Sequence, residues 1–265
     1  KDPINLSIGQ AHYDPPPELI EAACRAMRDG FNRYTVTQGL PELNDMVLDD
    51  VEQRLGKRPD TCLLTSGVSG GLMLSFLSLL DPGDEILLPD PYFVMYRHLA
   101  NLCGASVKYY STYPRKDGSR FAIDQDEIDR LVTDKTKIVF VNSPSNPTGG
   151  MLTRAEIEGV CNAADRVGAY VVSDEIYAQS VCGESPSPPA FESAWDLAVE
   201  DVCNRPVIAC PCATRAAGAH GGPGEAVRQL TDQPAGAGGQ HQHRRHRHRR
   251  RVQGAAGGAA GSLLA

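Results

Sequence analysis

The sequence predicts an α/β fold in three layers, with helices on both faces of a mostly parallel sheet. Two apolar runs rich in β-branched residues, 137–141 and 169–173, are typical of strands. The segment between them has apolar residues at helical spacing. Because strand–helix–strand order implies parallel neighbours, the carboxyl ends of both runs are expected at one edge of the sheet, where ligands usually bind.

The first strand-like run leads into a polar turn at 142–150 that can hold a side chain off the sheet edge. Pro147 restricts its own φ, and Gly149 tolerates a positive φ, so the Asn-Pro-Thr-Gly segment is expected to form a tight turn. Asn146, at the start of that segment, is then directed away from the sheet. It is the first candidate site residue.

The second run is preceded by a helix and followed by acidic and aromatic residues. The helix is predicted to begin with a capping box, in which Thr153 and Glu156 satisfy each other's backbone N–H groups. Its buried stripe is expected to comprise Ile157, Val160, Cys161 and Ala164. The strand then ends in Asp-Glu-Ile-Tyr at 174–177, which places Asp174 and Tyr177 at the same edge as the polar turn.

A glycine-rich segment, 67–71, is the candidate anion site. Residues 63–65 are predicted to form a short strand, after which the segment opens an apolar helix. The apolar residues of that helix are Leu72, Leu74, Phe76, Leu77 and Leu80. Because a helix N-terminus presents free N–H groups, those of Val68 and Ser69 are expected to face an anion. A glycine-rich turn with no ligand is the alternative.

Six short segments occur in a specific order between about residue 4 and residue 205. They are Asn-Leu-Ser-Ile-Gly at 5–9, Arg-Tyr at 33–34 with Gly-Leu-Pro-Glu-Leu at 39–43, Thr-Ser-Gly-Val-Ser-Gly-Gly at 65–71, Asp-Pro-Tyr-Phe at 90–93, Asn-Pro-Thr-Gly at 146–149 and Asp-Glu-Ile-Tyr at 174–177. In that order they resemble the class I/II aminotransferases that use pyridoxal 5'-phosphate, the aspartate aminotransferase-like branch of fold type I. The resemblance implies amino-group transfer from an α-amino acid to a 2-oxo acid.

The resemblance also implies roles for the matched residues toward the cofactor. Phe93 would lie on the face of the pyridine ring, and Asp174 would keep the ring nitrogen protonated so that the ring accepts electrons. Asn146 and Tyr177 would hold the phenolic oxygen, and the glycine-rich segment would hold the phosphate. Each has a structural alternative, since Phe93 can be a core aromatic, Asp174 a helix cap and Asn146 a turn former.

Two further residues take implied roles from the same resemblance. Tyr34 matches the tyrosine that reaches the phosphate of the neighbouring subunit, which implies a homodimer with shared sites. Gly9 ends the segment that resembles the family's entry strand on the substrate side. The chain begins inside the family pattern, so an N-terminal segment is expected to be missing.

The sequence departs from the family at the Schiff-base lysine. All six lysines precede Asp174, and Thr214 falls about where the family has its lysine. A threonine cannot form the covalent bond to the cofactor, and the C-terminal arginine that grips the substrate carboxylate has no recognisable counterpart. We therefore expect no catalytic residue of this kind and no activity from the chain as written.

Composition changes abruptly near residue 205. Residues 206–265 contain no aromatic residue and carry eight arginines against two acids, a net +6, whereas residues 1–205 carry 18 basic and 31 acidic residues, a net −13. A Gly/Ala-rich segment of this kind cannot bury a core. We hypothesise a frameshift near residues 204–209, and expect the strand near residues 62–65 to lie beside a gap left by a missing late strand.

The predicted division is therefore an N-terminal segment of the small domain (1–30), a partial cofactor-binding large domain (31–205) and a low-complexity tail (206–265). The Arg/His run at 241–251 could bind nucleic acid or a metal, but a solvated tail without such a role is favoured. The sequence shows no signal peptide or membrane span, and its eight scattered cysteines indicate reduced thiols, as in the cytoplasm.

Three classes of function remain open at this point. The first is an aminotransferase, with an amino acid and a 2-oxo acid as its small-molecule partners. The second is a non-catalytic relative that binds the cofactor or a partner subunit, and the third is nucleic-acid binding through the tail. Another fold type I activity, such as a β-eliminating lyase, uses almost the same residues as the first.

Overall fold

The structure is a computed structural model that describes residues 9, 13–56, 58–114, 120–178, 180–181, 193, 207–211 and 263–264. The chain divides into two compact units, one formed by Lys1–Thr35 with Ala217–Gln253 and the other by Val36–Ala216 with Gly254–Ala265. In the first unit, helix α1 (Pro17–Arg28) begins with a proline. Proline is favourable there because the first N–H of a helix has no intrahelical partner in any case.

The second unit is a parallel sheet covered by helices. Its helices are α2 (Pro41–Leu55), α3 (Gly67–Leu79), α4 (Met95–Leu102), α5 (Gln125–Leu131) and α6 (Arg154–Val167). Its strands are β1 (Thr61–Cys62), β2 (Glu85–Asp90), β3 (Ser106–Ser111), β4 (Thr136–Asn142), β5 (Tyr170–Glu175), β6 (Val207–Pro211) and β7 (Leu263–Leu264). The strand order is β1-β7-β6-β5-β4-β2-β3, and every described pairing is parallel.

Two apolar clusters lie on opposite faces of the sheet, because successive residues of a strand point to opposite sides. The α3/α4-side cluster is formed chiefly by Leu72, Phe76, Ile86, Leu88, Tyr96, Leu99, Ile138, Phe140, Val172 and Ile208. The α5/α6-side cluster is formed chiefly by Leu87, Tyr110, Ile128, Val139, Val141, Ile157, Val160 and Val171. The predicted three-layer α/β/α arrangement is confirmed.

The predicted crossover between β4 and β5 is also confirmed. The Thr153 hydroxyl accepts from the backbone N–H of Glu156, and the Glu156 carboxylate accepts from the backbone N–H of Thr153 at 2.8 Å. Gly168 ends α6 with a φ of +72°. The four residues predicted to form the buried stripe of this helix are all at most 1% exposed.

The strand predicted at residues 63–65 is wrong, since β1 ends at Cys62. The backbone N–H of Leu64 donates instead to the carbonyl of Gln38 at 3.1 Å, so it is not free for a strand partner. The chain can approach this closely because Gly39 has no side chain: a Cβ there would lie 2.8 Å from Leu64 Cβ.

The gap expected beside β1 is also wrong. Leu263 and Leu264 lie between β1 and β6, and they pair with Thr61 and Cys62 on one side and with Ile208 and Ala209 on the other. Strand pairing uses backbone groups that every residue except proline supplies, so a short leucine pair from the tail can occupy the position.

A strand also forms after the change in composition near residue 205, since β6 pairs with β5 from Val207 to Pro211. Thr214 and the Arg/His run lie outside the described residues, and the three-part domain division stays a prediction. Cys24, Cys62, Cys103 and Cys161, whose side chains the structure describes, form no disulfide. Within the described ranges, no helix is both long and apolar enough to cross a bilayer.

Candidate active site

The candidate site lies at the carboxyl edge of the sheet, where β4 and β5 end side by side. Asn142 and Asp174 are register partners there. Asp174 faces the α3/α4 side, as does Val172 two residues earlier, and only 4% of Asp174 is exposed. The strand order thus brings a buried carboxylate next to the polar turn that follows β4.

Two hydrogen bonds hold the Asp174 carboxylate. The Tyr96 hydroxyl donates to Oδ2 at 2.7 Å, and the backbone N–H of Ile176 donates to Oδ1 at 3.2 Å. Burial raises the pKa of Asp174 above the usual aspartate range, and both hydrogen bonds act in the opposite direction. A desolvated carboxylate in this state is well suited to pair with an N–H⁺ donor of a ligand.

Aromatic rings in α4 and in the segment just before it lie next to that carboxylate. Tyr96 lies with its ring centroid 4.4 Å from that of Phe140, and Phe93 meets Tyr96 edge-on at 5.7 Å. Phe93 is half-buried, so the predicted ring-facing residue contacts the tyrosine that binds Asp174. Tyr96 is a site residue that was not predicted from the sequence, although a tyrosine three residues after Phe93 on an amphipathic helix indicates a buried hydroxyl that needs a partner.

The turn after β4 is tied to the same strand end. Asn142 Oδ1 accepts from the backbone N–H of Asn146 at 2.7 Å, and Asn142 Nδ2 donates to the Asp174 carbonyl at 2.9 Å. The turn is closed between Ser145 and Gly149, whose φ of +69° is as predicted. The half-buried Asn146 is therefore held two hydrogen bonds away from Asp174.

The amino end of α3 lies at this edge as well, because α3 follows the carboxyl end of a parallel strand. The side chain of Ser66 at the N-cap makes no capping hydrogen bond, and the first N–H groups of a helix have no intrahelical partner. Val68 packs against the α3/α4-side cluster, whereas the side chain of Ser69 is exposed. Both residues lie in the first turn of α3, and the anion site stays a prediction.

The remaining predicted residues are exposed. Tyr177 lies in the turn after β5 and is 40% exposed. Tyr34 and Gly9 belong to the first compact unit, and both are exposed there. Their implied roles toward a neighbouring subunit and toward substrate stay predictions.

Glu175, the last residue of β5, points to the opposite face from Asp174. It is 3% exposed, and it accepts hydrogen bonds at 2.9 Å from the hydroxyls of Ser173 and Ser193. The two adjacent carboxylates therefore lie in different layers of the fold. This alternation was expected from the strand geometry.

The described lysines lie at the other edge of the sheet. Lys135 and Lys137 flank the first residue of β4, and Lys108 pairs with Glu85, the first residue of β2, at 2.8 Å. The five residues from Lys137 to the end of β4 span about 16 Å at ~3.3 Å per residue, which exceeds the length of a lysine side chain. None of these three lysines reaches the carboxyl edge.

No group of three or more His, Cys, Asp or Glu side chains in the described part of the chain could hold a metal ion. The arrangement at the edge is instead a buried carboxylate, an aromatic ring, an asparagine turn and a helix amino terminus. This is the set of groups that the resemblance to fold type I aminotransferases implies at the carboxyl edge of the parallel sheet.

The chain belongs to the class I and II aminotransferases, because the model of that family matches residues 1–221. It is 36% identical over 178 residues to a probable aspartate aminotransferase of Methanocaldococcus jannaschii, which covers 66% of this chain and 46% of that protein. The solved aspartate aminotransferase of Thermotoga maritima matches with a TM-score of 0.67 at 32% identity, over 74% of this chain and 51% of that one.

A solved alanine aminotransferase of Pyrococcus furiosus also matches, with a TM-score of 0.61 at 32% identity, over 70% of this chain and 46% of that one. The chain thus spans about half the length of the relatives it matches. The matched relatives carry names with different amino acids, so the comparison defines the family and leaves the amino acid open.

Proposed function

We propose that this chain is the cofactor-binding part of a pyridoxal 5'-phosphate-dependent aminotransferase, which moves an amino group from an α-amino acid to a 2-oxo acid. The observation that carries the proposal is the buried Asp174 carboxylate, held by Tyr96 and Ile176 beside the Asn142–Asn146 turn. The family match supports it.

The donor set at the edge fits this cofactor. Asp174 would pair with the ring nitrogen, Phe93 would cover the ring face, and Asn146 and Tyr177 would hold the phenolic oxygen. The phosphate would be bound by the backbone N–H groups of Val68 and Ser69. When bound, the cofactor supplies an electron-accepting ring that stabilises negative charge at the substrate Cα.

The chain's own residues prepare that chemistry. Asp174 would hold a proton on the ring nitrogen, because a buried carboxylate stabilises an adjacent N–H⁺ group. Tyr96 fixes the direction of that carboxylate through its hydrogen bond to Oδ2. Asp174 is buried beside the α3/α4-side cluster, and a charge pair shielded from water would interact more strongly than an exposed one. Gly9 is proposed on the substrate side and Tyr34 at the phosphate of a second subunit in a homodimer.

In the described part of the chain, no lysine lies where it could bond the cofactor covalently or transfer the proton. Lys108, Lys135 and Lys137 lie at the opposite edge, and Lys1, Lys57 and Lys116 lie outside the described residues. We therefore propose that the chain as written binds the cofactor without turning over. A non-catalytic, cofactor-binding or dimerising relative is the second candidate, and the placement of the lysines favours it for this chain.

The test is to measure the affinity of the full chain for pyridoxal 5'-phosphate by equilibrium dialysis. Asp174→Asn is expected to weaken binding by about tenfold or more, since it removes the charge opposite the ring nitrogen. Glu175→Gln is the matched control, because this equally buried carboxylate faces the other layer. Equal affinities of the two variants, or no binding by the unaltered chain, would contradict the proposal.

A further inference from the structure

We propose that Asn142 is a positioning residue of this site, which ties the turn carrying Asn146 to the end of β5 and so sets the position of Asn146 relative to Asp174. The inference rests on the proposed function in that Asn146 and Asp174 are taken to bind the cofactor. The link between the two segments is itself a property of the fold.

Both polar groups of the Asn142 side chain are engaged, and the residue is 5% exposed. Nδ2 donates to the carbonyl of Asp174 at 2.9 Å and to that of Pro144 at 3.3 Å. Oδ1 accepts from the backbone N–H of Asn146 at 2.7 Å. One short side chain thus bonds the neighbouring strand on one side and the turn on the other.

This link continues the sheet beyond the point where ordinary pairing stops. Asn142 and Asp174 are the last register partners of β4 and β5. The Asp174 carbonyl accepts from the backbone N–H of Ser143 at 3.2 Å as well as from Asn142 Nδ2. The carbonyl at the site is therefore held from β4 by two donors, one of which also orients the Asn146 segment.

Asparagine is the side chain that this position requires. A primary amide offers donors and an acceptor within a short reach, so it can serve both carbonyls and one N–H at once. An aspartate would direct a charged oxygen at the carbonyls of Asp174 and Pro144, and it would add a second carboxylate near Asp174. A glutamine would carry the amide one methylene further into a closed turn.

Ser143 provides a matched control in the same turn. It is 3% exposed, and its hydroxyl accepts from the backbone N–H of Leu152 at 3.0 Å. Ser143→Ala therefore removes a buried side-chain hydrogen bond on the side of the turn that leads to α6. It leaves the side-chain link from β4 to Asp174 in place.

Amide hydrogen exchange in the full chain, measured by NMR, tests the Asn142 link between the turn and β5 without any cofactor. Asn142→Ala is expected to accelerate exchange at the Asn146 N–H by about tenfold or more and to leave the Leu152 N–H protected. Ser143→Ala should do the reverse. Unchanged protection of the Asn146 N–H in a folded Asn142→Ala variant overturns the proposal.

If Asn142→Ala does not fold, Asn142→Asp decides the same question. It keeps an acceptor for the Asn146 N–H and loses the donors to the two carbonyls. Protection at Asn146 should then persist, while the amide resonances of Asp174 and Glu175 shift. Loss of protection at Asn146 with unshifted β5 resonances counts against the link.

A double-mutant cycle on pyridoxal 5'-phosphate affinity connects the link to the site. Asn142→Ala should weaken binding about tenfold in the unaltered background and less than about twofold in an Asn146→Ala background, because it acts through Asn146. The same loss in both backgrounds indicates a purely structural role and overturns the proposal. If the unaltered chain does not bind the cofactor, the proposed function fails, and the exchange experiment still decides the link.

Discussion

The hydroxyl of Tyr96 lies 2.7 Å from Oδ2 of Asp174, 78 residues away in the sequence, and both side chains are buried. Burial raises the pKa of Asp174, and this side-chain hydrogen bond acts in the opposite direction by favouring the ionised carboxylate. It therefore partly offsets the effect of burial at the residue on which the proposed cofactor site depends.

Tyr96→Phe is expected to raise the pKa of Asp174 further and to lower the free energy of unfolding at neutral pH by about 1.5–3 kcal/mol, because a buried charge loses its donor. The pKa can be followed by NMR titration of a ¹³C-labelled carboxyl, and stability by urea unfolding. Tyr110→Phe is the control, since the Tyr110 hydroxyl donates to the Phe140 carbonyl at 2.7 Å on the other face. A similar shift of the Asp174 pKa in both variants would refute the assignment.

Asp174→Asn is expected to stabilise the cofactor-free protein at neutral pH. Since the pKa of Asp174 is raised on folding, the folded state binds more protons than the unfolded state. The stability contributed by this extra proton binding is fully present below the pKa of Asp174 in the unfolded state, about 3.9. It is lost as pH rises through the pKa of the folded state. The gain is on the order of 1 kcal/mol at pH 7 and about zero near pH 3.

Urea unfolding over a pH series measures this difference. Asp129→Asn is a control of opposite sign, because the hydrogen bond from Arg166 lowers the pKa of Asp129. Its removal should lower stability at neutral pH and not at pH 3. A neutral-pH loss of stability in Asp174→Asn would mean that the carboxylate is better compensated than its two hydrogen bonds indicate.

The capping box of α6 predicts a sensitivity to acid. Burial raises the pKa of Glu156, but hydrogen bonds from Thr153, Ile123 and Arg120 outweigh it, and the pKa lies below the usual range. This contribution is present above the unfolded pKa of about 4.3 and is lost as pH falls through the folded value. Thr153→Ala should cost about 1 kcal/mol at pH 7, measured by thermal or urea unfolding.

The stability of the protein below about pH 4.3 depends directly on the Glu156 carboxylate. In Glu156→Gln the decline of stability below about pH 4.3 should be shallower than in the unaltered protein, because one carboxylate no longer has to be protonated. Glu158→Gln is the control, because this carboxylate is two residues along the same helix, pairs with Arg154 and takes no part in the capping box. Parallel profiles for all three proteins would contradict the role given to Glu156.

Borohydride reduction of the chain with pyridoxal 5'-phosphate should yield no specific cofactor-linked lysine peptide, and aminotransferase turnover should be absent. None of the described lysines reaches the edge of the sheet where Asp174 lies, so none of them is expected to form a Schiff base with a cofactor bound there. Peptide mass spectrometry and a coupled assay are the measurements. One stoichiometrically labelled lysine together with turnover would show that a lysine outside the described residues reaches the site.

The coding DNA gives an independent test of the sequence break. If a frameshift lies near residues 204–209, one alternative frame should encode a Ser-x-Lys-like segment followed by Gly-x-Arg-x-Gly. The present frame has Thr214 at about the lysine position and no lysine beyond Asp174. Absence of both segments from all three frames would favour divergence into a non-catalytic relative.

Local pattern was enough to predict the parts of the site that depend on neighbouring residues. Three features depend only on residues a few positions apart: the end of β5 near Asp174, the turn at Gly149 and the capping box at Thr153. Tyr96 was missed because its partner, Asp174, is 78 residues away. The bond from Asn142 to the Asp174 carbonyl spans 32 residues, and no local spacing records either contact.

The errors at β1 have the same origin. Residues 63–65 have strand-like composition, but the N–H of Leu64 is used by Gln38, which depends on how the chain folds back. The pairing of Leu263 with Thr61 joins opposite ends of the second unit through backbone atoms. Composition of the tail carries no information about such a pairing.

The opposite orientation of Asp174 and Glu175 makes the length of the α6–β5 connection critical. A slip of one residue in β5 would turn Glu175 toward Tyr96 and would replace the shorter carboxylate with one a methylene longer. The same slip would move Asp174 toward the layer where Ser173 and Ser193 now bind Glu175. A single inserted or deleted residue between Gly168 and Tyr170 would therefore disable the site while leaving every side chain of the site in the protein.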